Sequence, residues 1–158
     1  MTAVSKKREI AEIMQSLRRI FKAIQQYSEE VLREFGVTGP QLWALRTIYT
    51  HGSLSMGELS RHMYLHISTT SGVVDRLERK GYAERSRGDS DRRVVRIGLT
   101  AAGKRLVQRG PEAAQGKLLH GLESLSQPEV RVIRSSLERV VRLMEIRDIK
   151  ATFFFSEE

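Results

Sequence analysis

Between Leu54 and Thr100 the chain reads as two short helices set at an angle, then a two-stranded ribbon whose tip is crowded with arginines. No other stretch limits the fold so strongly. Ser55 is a good helix cap, and Glu58 stands three residues on, the spacing of a reciprocal capping box. Met56, Leu59 and Met63 then share one face of a short helix, and the pattern breaks at Tyr64 and Leu65. A second helix is predicted over 67–80, with Ser68 as its cap and Gly81 as its stop. Thr70 (through its methyl group), Val73, Val74 and Leu77 fall at i, i+3, i+4 and i+7 on one side of it. Thr69, Gly72 and Arg76 lie on the other, with Ser68 at its start. Residues 82–85 and 94–99 read as strands around a polar loop containing Gly88.

The flanking sequence is helical. Ile10, Ile13, Met14, Leu17, Phe21, Ile24, Val31 and Leu32 recur in steps of three and four and predict one long amphipathic helix over 6–35, closed by Gly36. Thr38, Gly39 and Pro40 open another, with Leu42, Trp43, Leu45, Ile48 and Tyr49 on its apolar side; His51 and Gly52 end it. Thr100 caps a helix beyond the ribbon. Gly110 and Pro111 interrupt what would otherwise run on to Leu122, so a kink or restart is expected there. Ser126, Pro128 and Glu129 start a last helix striped by Val130, Ile133, Leu137, Val140, Val141 and Met144.

The expected fold class is therefore mainly α with a small β-hairpin wing, a winged helix-turn-helix. Its expected order is three helices, a recognition helix, a hairpin and two further helices. Residues 1–35 would form an N-terminal dimerisation helix, 36–100 the winged lobe, 101–150 the C-terminal dimerisation helices, and 151–158 a tail holding Phe153, Phe154 and Phe155. Both outer segments are too apolar on one face to stand alone. The simplest solution pairs Ile10, Ile13, Leu17, Ile133, Leu137, Val140 and Met144 with the same helices of a second copy; folding back into a monomeric core is the alternative.

Charge narrows the partner. The 158 residues carry a formal net charge of +8, which favours a polyanion, because each lysine or arginine meeting a phosphate releases condensed counterions. Charge alone does not separate DNA from RNA or an anionic membrane; the element pattern does. Small hydroxyl side chains at Ser68 and Thr69, where the helix dipole favours a phosphate, let a backbone approach base edges. Gly72 adds no bulk, and Arg76 is placed for a phosphate or a guanine edge. Arg85, Arg87, Arg92, Arg93 and Arg96 fall within twelve residues. An arginine suits a narrow A·T-rich minor groove, whose negative potential is enhanced. Ser68, Thr69, Thr70, Gly72, Arg76, Arg87, Asp91, Arg92 and Arg93 form the expected DNA-binding set.

With no cysteine, disulfides, thiolate nucleophiles and thiol-based peroxide sensing are excluded. No apolar run approaches the ~18 residues of a membrane span, and no secretory signal follows the basic start, so the cytoplasm is the expected location. His62 and His66 are four apart, but the turn between them works against chelation; His51 and His120 have no neighbouring ligand cluster, and no metal or cofactor is expected. There is no glycine-rich phosphate loop, nucleophile elbow or paired acid–base motif.

Several of these motifs, in this order, resemble the MarR family of bacterial transcription regulators. They are Asp75, Arg76, Leu77 and Glu78 in succession, Gly81 closing the recognition helix, Asp91, Arg92 and Arg93 in the wing, and Leu99 with Thr100 and Gly103 beyond it. The resemblance implies a homodimeric, sequence-specific regulator of double-stranded DNA, a repressor on a pseudo-palindromic operator. It also implies that Arg93 is the minor-groove residue and Asp91 its orienting partner. It further implies a small anionic aromatic effector bound between the DNA-binding lobe and the dimer helices, where Tyr27, Trp43, Arg46 and His51 would line the pocket. Many relatives carry a larger polar residue where Gly72 stands, which shifts base reading toward Ser68 and Thr69. An architectural, weakly specific DNA-coating protein and a winged-helix protein-interaction module are the rival functions, and sequence preference in DNA binding separates them.

Overall fold

The computed structural model describes residues 3–87, 94–112 and 114–144. Along them run α1 (Ala3–Phe35), α2 (Gly39–His51), β1 (Leu54–Ser55), α3 (Met56–Met63), α4 (Ile67–Arg79), β2 (Ala83–Arg87), β3 (Val95–Leu99), α5 (Ala101–Arg109), α6 (Ala114–Glu123) and α7 (Gln127–Leu143). The chain is mostly helical, with one small antiparallel sheet. Three helices follow the ribbon rather than the expected two, because the break at Gly110 and Pro111 separates α5 from α6 completely.

Local chemistry accounts for most boundaries. Gly36 turns left-handed at φ +67° to end α1, a conformation that a side chain would disfavour. Thr38 and Gln41 close a reciprocal capping box at the start of α2, with Pro40 in the first turn, where its missing N–H costs no bond. The Lys80 ammonium donates to the Gly36 carbonyl at 2.7 Å and to Gln41 Oε1 at 3.3 Å, so the end of α4 clamps the α1–α2 corner. Ser55 and Glu58 box the start of α3. There the hydrogen bonds from Ser55, and then the nearby Arg96, hold the Glu58 carboxyl below the usual carboxylate range.

The corner between α3 and α4 is made by Tyr64, a non-glycine residue at φ 54°. Its amide and that of Leu65 donate back to the Arg61 and Ser60 carbonyls. The cap of α4 is not Ser68, as expected, but His66. Its Nδ1 accepts from the Ser68 amide at 3.4 Å and lies 2.9 Å from the Ser68 hydroxyl, which places Ser68 inside the first turn.

The expected ribbon has a third strand. Leu54 and Ser55 pair with Ile97 and Arg96, giving the order β1-β3-β2, while Ala83, Arg85 and Arg87 of β2 face Leu99, Ile97 and Val95 of β3. At its base, Thr100 donates from its amide to the Tyr82 carbonyl and from its hydroxyl to that of Gly81, and it accepts from the Gly103 amide at 3.1 Å to cap α5. Any Cβ at Gly103 would lie 2.0 Å from the Tyr82 carbonyl oxygen. The Thr100–Gly103 pattern is thus a packing device that seats α5 on the ribbon.

The core is drawn from residues 31 to 107. Val31, Val37, Leu42, Leu45, Ile48, Leu59, Met63, Val74, Leu77 and Ile97 are buried within it, joined by Leu106 and Val107 of α5. The ends behave otherwise. Ile10, Ile13, Met14, Ile20 and Phe21 of α1 are exposed, and α7 has no buried residue although Val132, Ile133, Leu137 and Val141 stripe it. No helix among the described residues is long and apolar enough to cross a membrane.

Candidate nucleic-acid interface

The site is built on α4. Its inner face, Thr70, Val73, Val74 and Leu77, is buried, and this anchors the helix without using its outer surface. Thr70 was expected both to pack and to contact DNA; at 0 % exposure, with its hydroxyl donated to the His66 carbonyl at 3.2 Å, it belongs wholly to the core. Outward stand Ser68 and Gly72, both exposed, with Thr69, Ser71 and Arg76 partly exposed beside them. A Cβ built at Gly72 would meet nothing within 4 Å beyond its own helix backbone. Nothing inside the protein requires glycine there, so any need for smallness comes from outside.

The ribbon's three described arginines divide by role. Arg85 reaches back from β2 to α4, where its guanidinium meets Asp75 Oδ1 at 2.7 Å and also pairs with Glu78 Oε2. Arg96 reaches from β3 to the start of α3, donating to the Ser53 carbonyl at 2.9 Å and pairing with Glu58 at 3.3 Å. Both strands are thereby tied to the helix-turn-helix by arginines that the linear pattern counted in the cationic ribbon but left outside the expected DNA-binding set. Arg87 stands exposed at the end of β2. Asp91, Arg92 and Arg93, like Phe153, Phe154 and Phe155, lie outside the described residues. Sequence reasoning missed the braces because an arginine's partner seven to 43 residues away leaves no local signature. It missed His66 because histidine is not among the preferred caps.

A cleft of about 690 Å³ opens between α2, α3 and α6. Trp43, Arg46 and His51 line it, together with Arg61, His62 and Glu112. Tyr27 does not line it. That residue packs against the core, and burial pushes its phenol above the usual range. Arg46 already holds the break after α5, donating from Nε to the Pro111 carbonyl at 2.8 Å and from Nη2 to that of Gly110. His51 stacks on His62 with ring centroids 4.0 Å apart, while His66 caps α4, so His62 and His66 point to separate tasks. Among the described residues no three His, Cys, Asp or Glu side chains gather as a metal set.

Residues 37–95 match the MarR family model. An uncharacterised HTH-type transcriptional regulator of Bacillus subtilis, YsmB, is 36 % identical over 86 % of this chain and 93 % of its own length. A MarR family protein from Bacillus stearothermophilus, whose structure is solved, is 37 % identical and superposes with a TM-score of 0.53, covering 88 % of this chain and 97 % of that one. Streptococcus pneumoniae FabT, solved in complex with DNA, shares the fold at a TM-score of 0.56 and 20 % identity, over 88 % of this chain and 97 % of its own.

Proposed function

Since the chain belongs to the MarR family of transcriptional regulators, we propose that it acts as a homodimer on a specific, pseudo-palindromic site in double-stranded DNA, and represses by occupying it. The observation that carries this reading is the division of α4. Its inner face is closed into the core, while its outer face is small, polar and free of internal packing demands at Gly72, beside an arginine-bearing ribbon. A helix so anchored can enter a major groove with its backbone close to the bases, while the ribbon lies over the adjacent minor groove. Ser68, Thr69 and Arg76 would meet base edges and phosphates; Arg87, Arg92 and Arg93, with Asp91 orienting, would serve the ribbon. FabT, which shares this fold, was solved in complex with DNA, and that supports a DNA-binding role for the fold.

Dimerisation follows from the open stripes on α1 and α7, which one chain leaves in water. Pairing them across a two-fold axis sets two recognition helices roughly 34 Å apart, one helical turn of DNA. In this reading Trp43, Arg46 and His51 offer an aromatic wall and a cation to a small anionic aromatic effector. Such an effector would release DNA by favouring a state with misspaced helices. The setting is the cytoplasm.

Competition titration tests the function. A site enriched by the protein from random duplexes should bind on the order of 10³-fold or more tighter than a scrambled duplex. Equal affinities would transfer the chain to the architectural reading, and no affinity for either duplex would transfer it to the protein-interaction reading.

A further inference from the structure

We propose that Arg85 is a positioning residue for DNA recognition: by gripping Asp75 and Glu78 it sets the span between recognition helix and ribbon, and so decides which base pairs the ribbon reaches. This inference rests on the DNA-binding reading above.

The placement comes from strand register. Arg85 stands opposite Ile97, and directly opposed residues of an antiparallel pair share a face. Ile97 is fully buried, and Ala83, two residues before Arg85 on the same face, is buried too. Alternation therefore turns Arg85 toward α4, with its side chain still 33 % exposed. There Asp75 and Glu78, three apart, lie on one side of the helix and present two carboxylates to one guanidinium. A planar fork can hold both at once, fixing distance and angle together, whereas a lysine offers only a point charge.

Charge gives Arg85 a second task. Should it leave the brace for a phosphate, two carboxylates would face the DNA uncompensated. Held in place, it neutralises one of them and keeps the helix face acceptable to a polyanion. Arg87 lies two residues farther along the same face and is exposed as well; with Arg85 held by its two ion pairs, Arg87 is the described β2 arginine assigned to phosphate. Arg85 and Arg87 should therefore differ in kind, although composition treats them alike.

The test uses a duplex enriched by the wild-type protein and a scrambled control, titrated at several salt concentrations. Its variants are Arg85→Ala, Arg85→Lys, the paired Asp75→Asn and Glu78→Gln, and the triple combination. Preference for the enriched site should fall about tenfold in Arg85→Ala and in the amide pair, with no further loss in the triple variant, because all three remove one interaction. Arg85→Lys should fall with Arg85→Ala. The salt slope of Arg85→Ala should match wild type, and a hydroxyl-radical footprint should lose protection beneath the ribbon while keeping it beneath α4.

A slope shallower by about 0.9 in Arg85→Ala would place the residue on a phosphate and overturn the proposal. An unchanged preference in the amide pair would overturn it equally, and that near-isosteric pair carries the test if Arg85→Ala does not fold. Failure of the wild-type protein to enrich any duplex would instead defeat the sequence-specific DNA-binding reading on which this inference rests.

Discussion

Leu77 and Leu137 sit on amphipathic helices of similar length, α4 and α7, yet Leu77 is fully buried and Leu137 is 54 % exposed. The two helices obey the same local rules: each has a cap, an apolar stripe and a polar opposite side. They differ in what lies nearby. Helix α4 is surrounded by α2, α3 and β2 of its own chain, whereas no residue of α7 is buried. Periodicity thus makes a helix but does not say what covers it. The lobe between residues 31 and 107 closes upon itself, and the ends keep an apolar side for a second copy under the proposed assembly.

The first way to break this comparison is to delete each leucine. Leu77→Ala should cost about 2–5 kcal/mol by leaving a cavity in a closed core, measured by denaturant titration and independent of protein concentration. Leu137→Glu should act on association instead. Each buried side chain of this size contributes roughly 1.5–3 kcal/mol, so sedimentation should show a monomer whose lobe still unfolds cooperatively. Loss of the lobe in Leu137→Glu would mean that α7 supports the core directly.

Gly103→Ala sharpens the boundary between the regions. Its Cβ would strike the Tyr82 carbonyl oxygen, so the ribbon or α5 must shift. A loss of about 1–3 kcal/mol is expected, read as a lowered thermal midpoint. The same change at Gly72, where space is open, should cause none.

Much of this organisation was legible in the residues. Ser55 with Glu58, Thr38 with Pro40, and Ser126 with Glu129 announce helix starts by side-chain chemistry alone, and Gly36, Gly52 and Gly81 announce ends as glycines, each of which adopts a positive φ in the structure. The third strand was not legible, since Leu54 and Ser55 are too few to display alternation. Thr70 carries a methyl and a hydroxyl on one Cβ, and only packing shows that both are used internally. Arg85 and Arg96 read as part of a cationic tip because their carboxylate partners lie on other elements. What the sequence withheld was chiefly pairing across distance.

A smaller effect is expected with pH. The Glu58 carboxyl is held below its ordinary value of 4.5, chiefly by the Ser55 hydrogen bonds. A depressed carboxylate stabilises the fold above its unfolded-state value, and that contribution is lost as pH falls through the folded one. Glu58→Gln keeps a capping-box side chain but cannot titrate. Its stability gap from the wild-type protein should therefore narrow as pH drops below about 4.5. A gap that stays constant through that range would remove Glu58 from the acid response of the lobe.

That the outer face of α4 meets DNA is tested most directly at Gly72. A leucine there starts from a Cβ position that meets no surrounding atom within 4 Å, on an exposed helix face, and gains up to about 1 kcal/mol of helix propensity over glycine, yet it would crowd a helix lying in a groove. Thermal unfolding and titration against the enriched duplex, on the same Gly72→Leu preparation, give the comparison. The expected result is a thermal midpoint equal to or above wild type, with affinity for the site reduced at least about tenfold, a loss of some 1.4 kcal/mol. Wild-type affinity in a well-folded Gly72→Leu protein would contradict the placement of α4 in the groove.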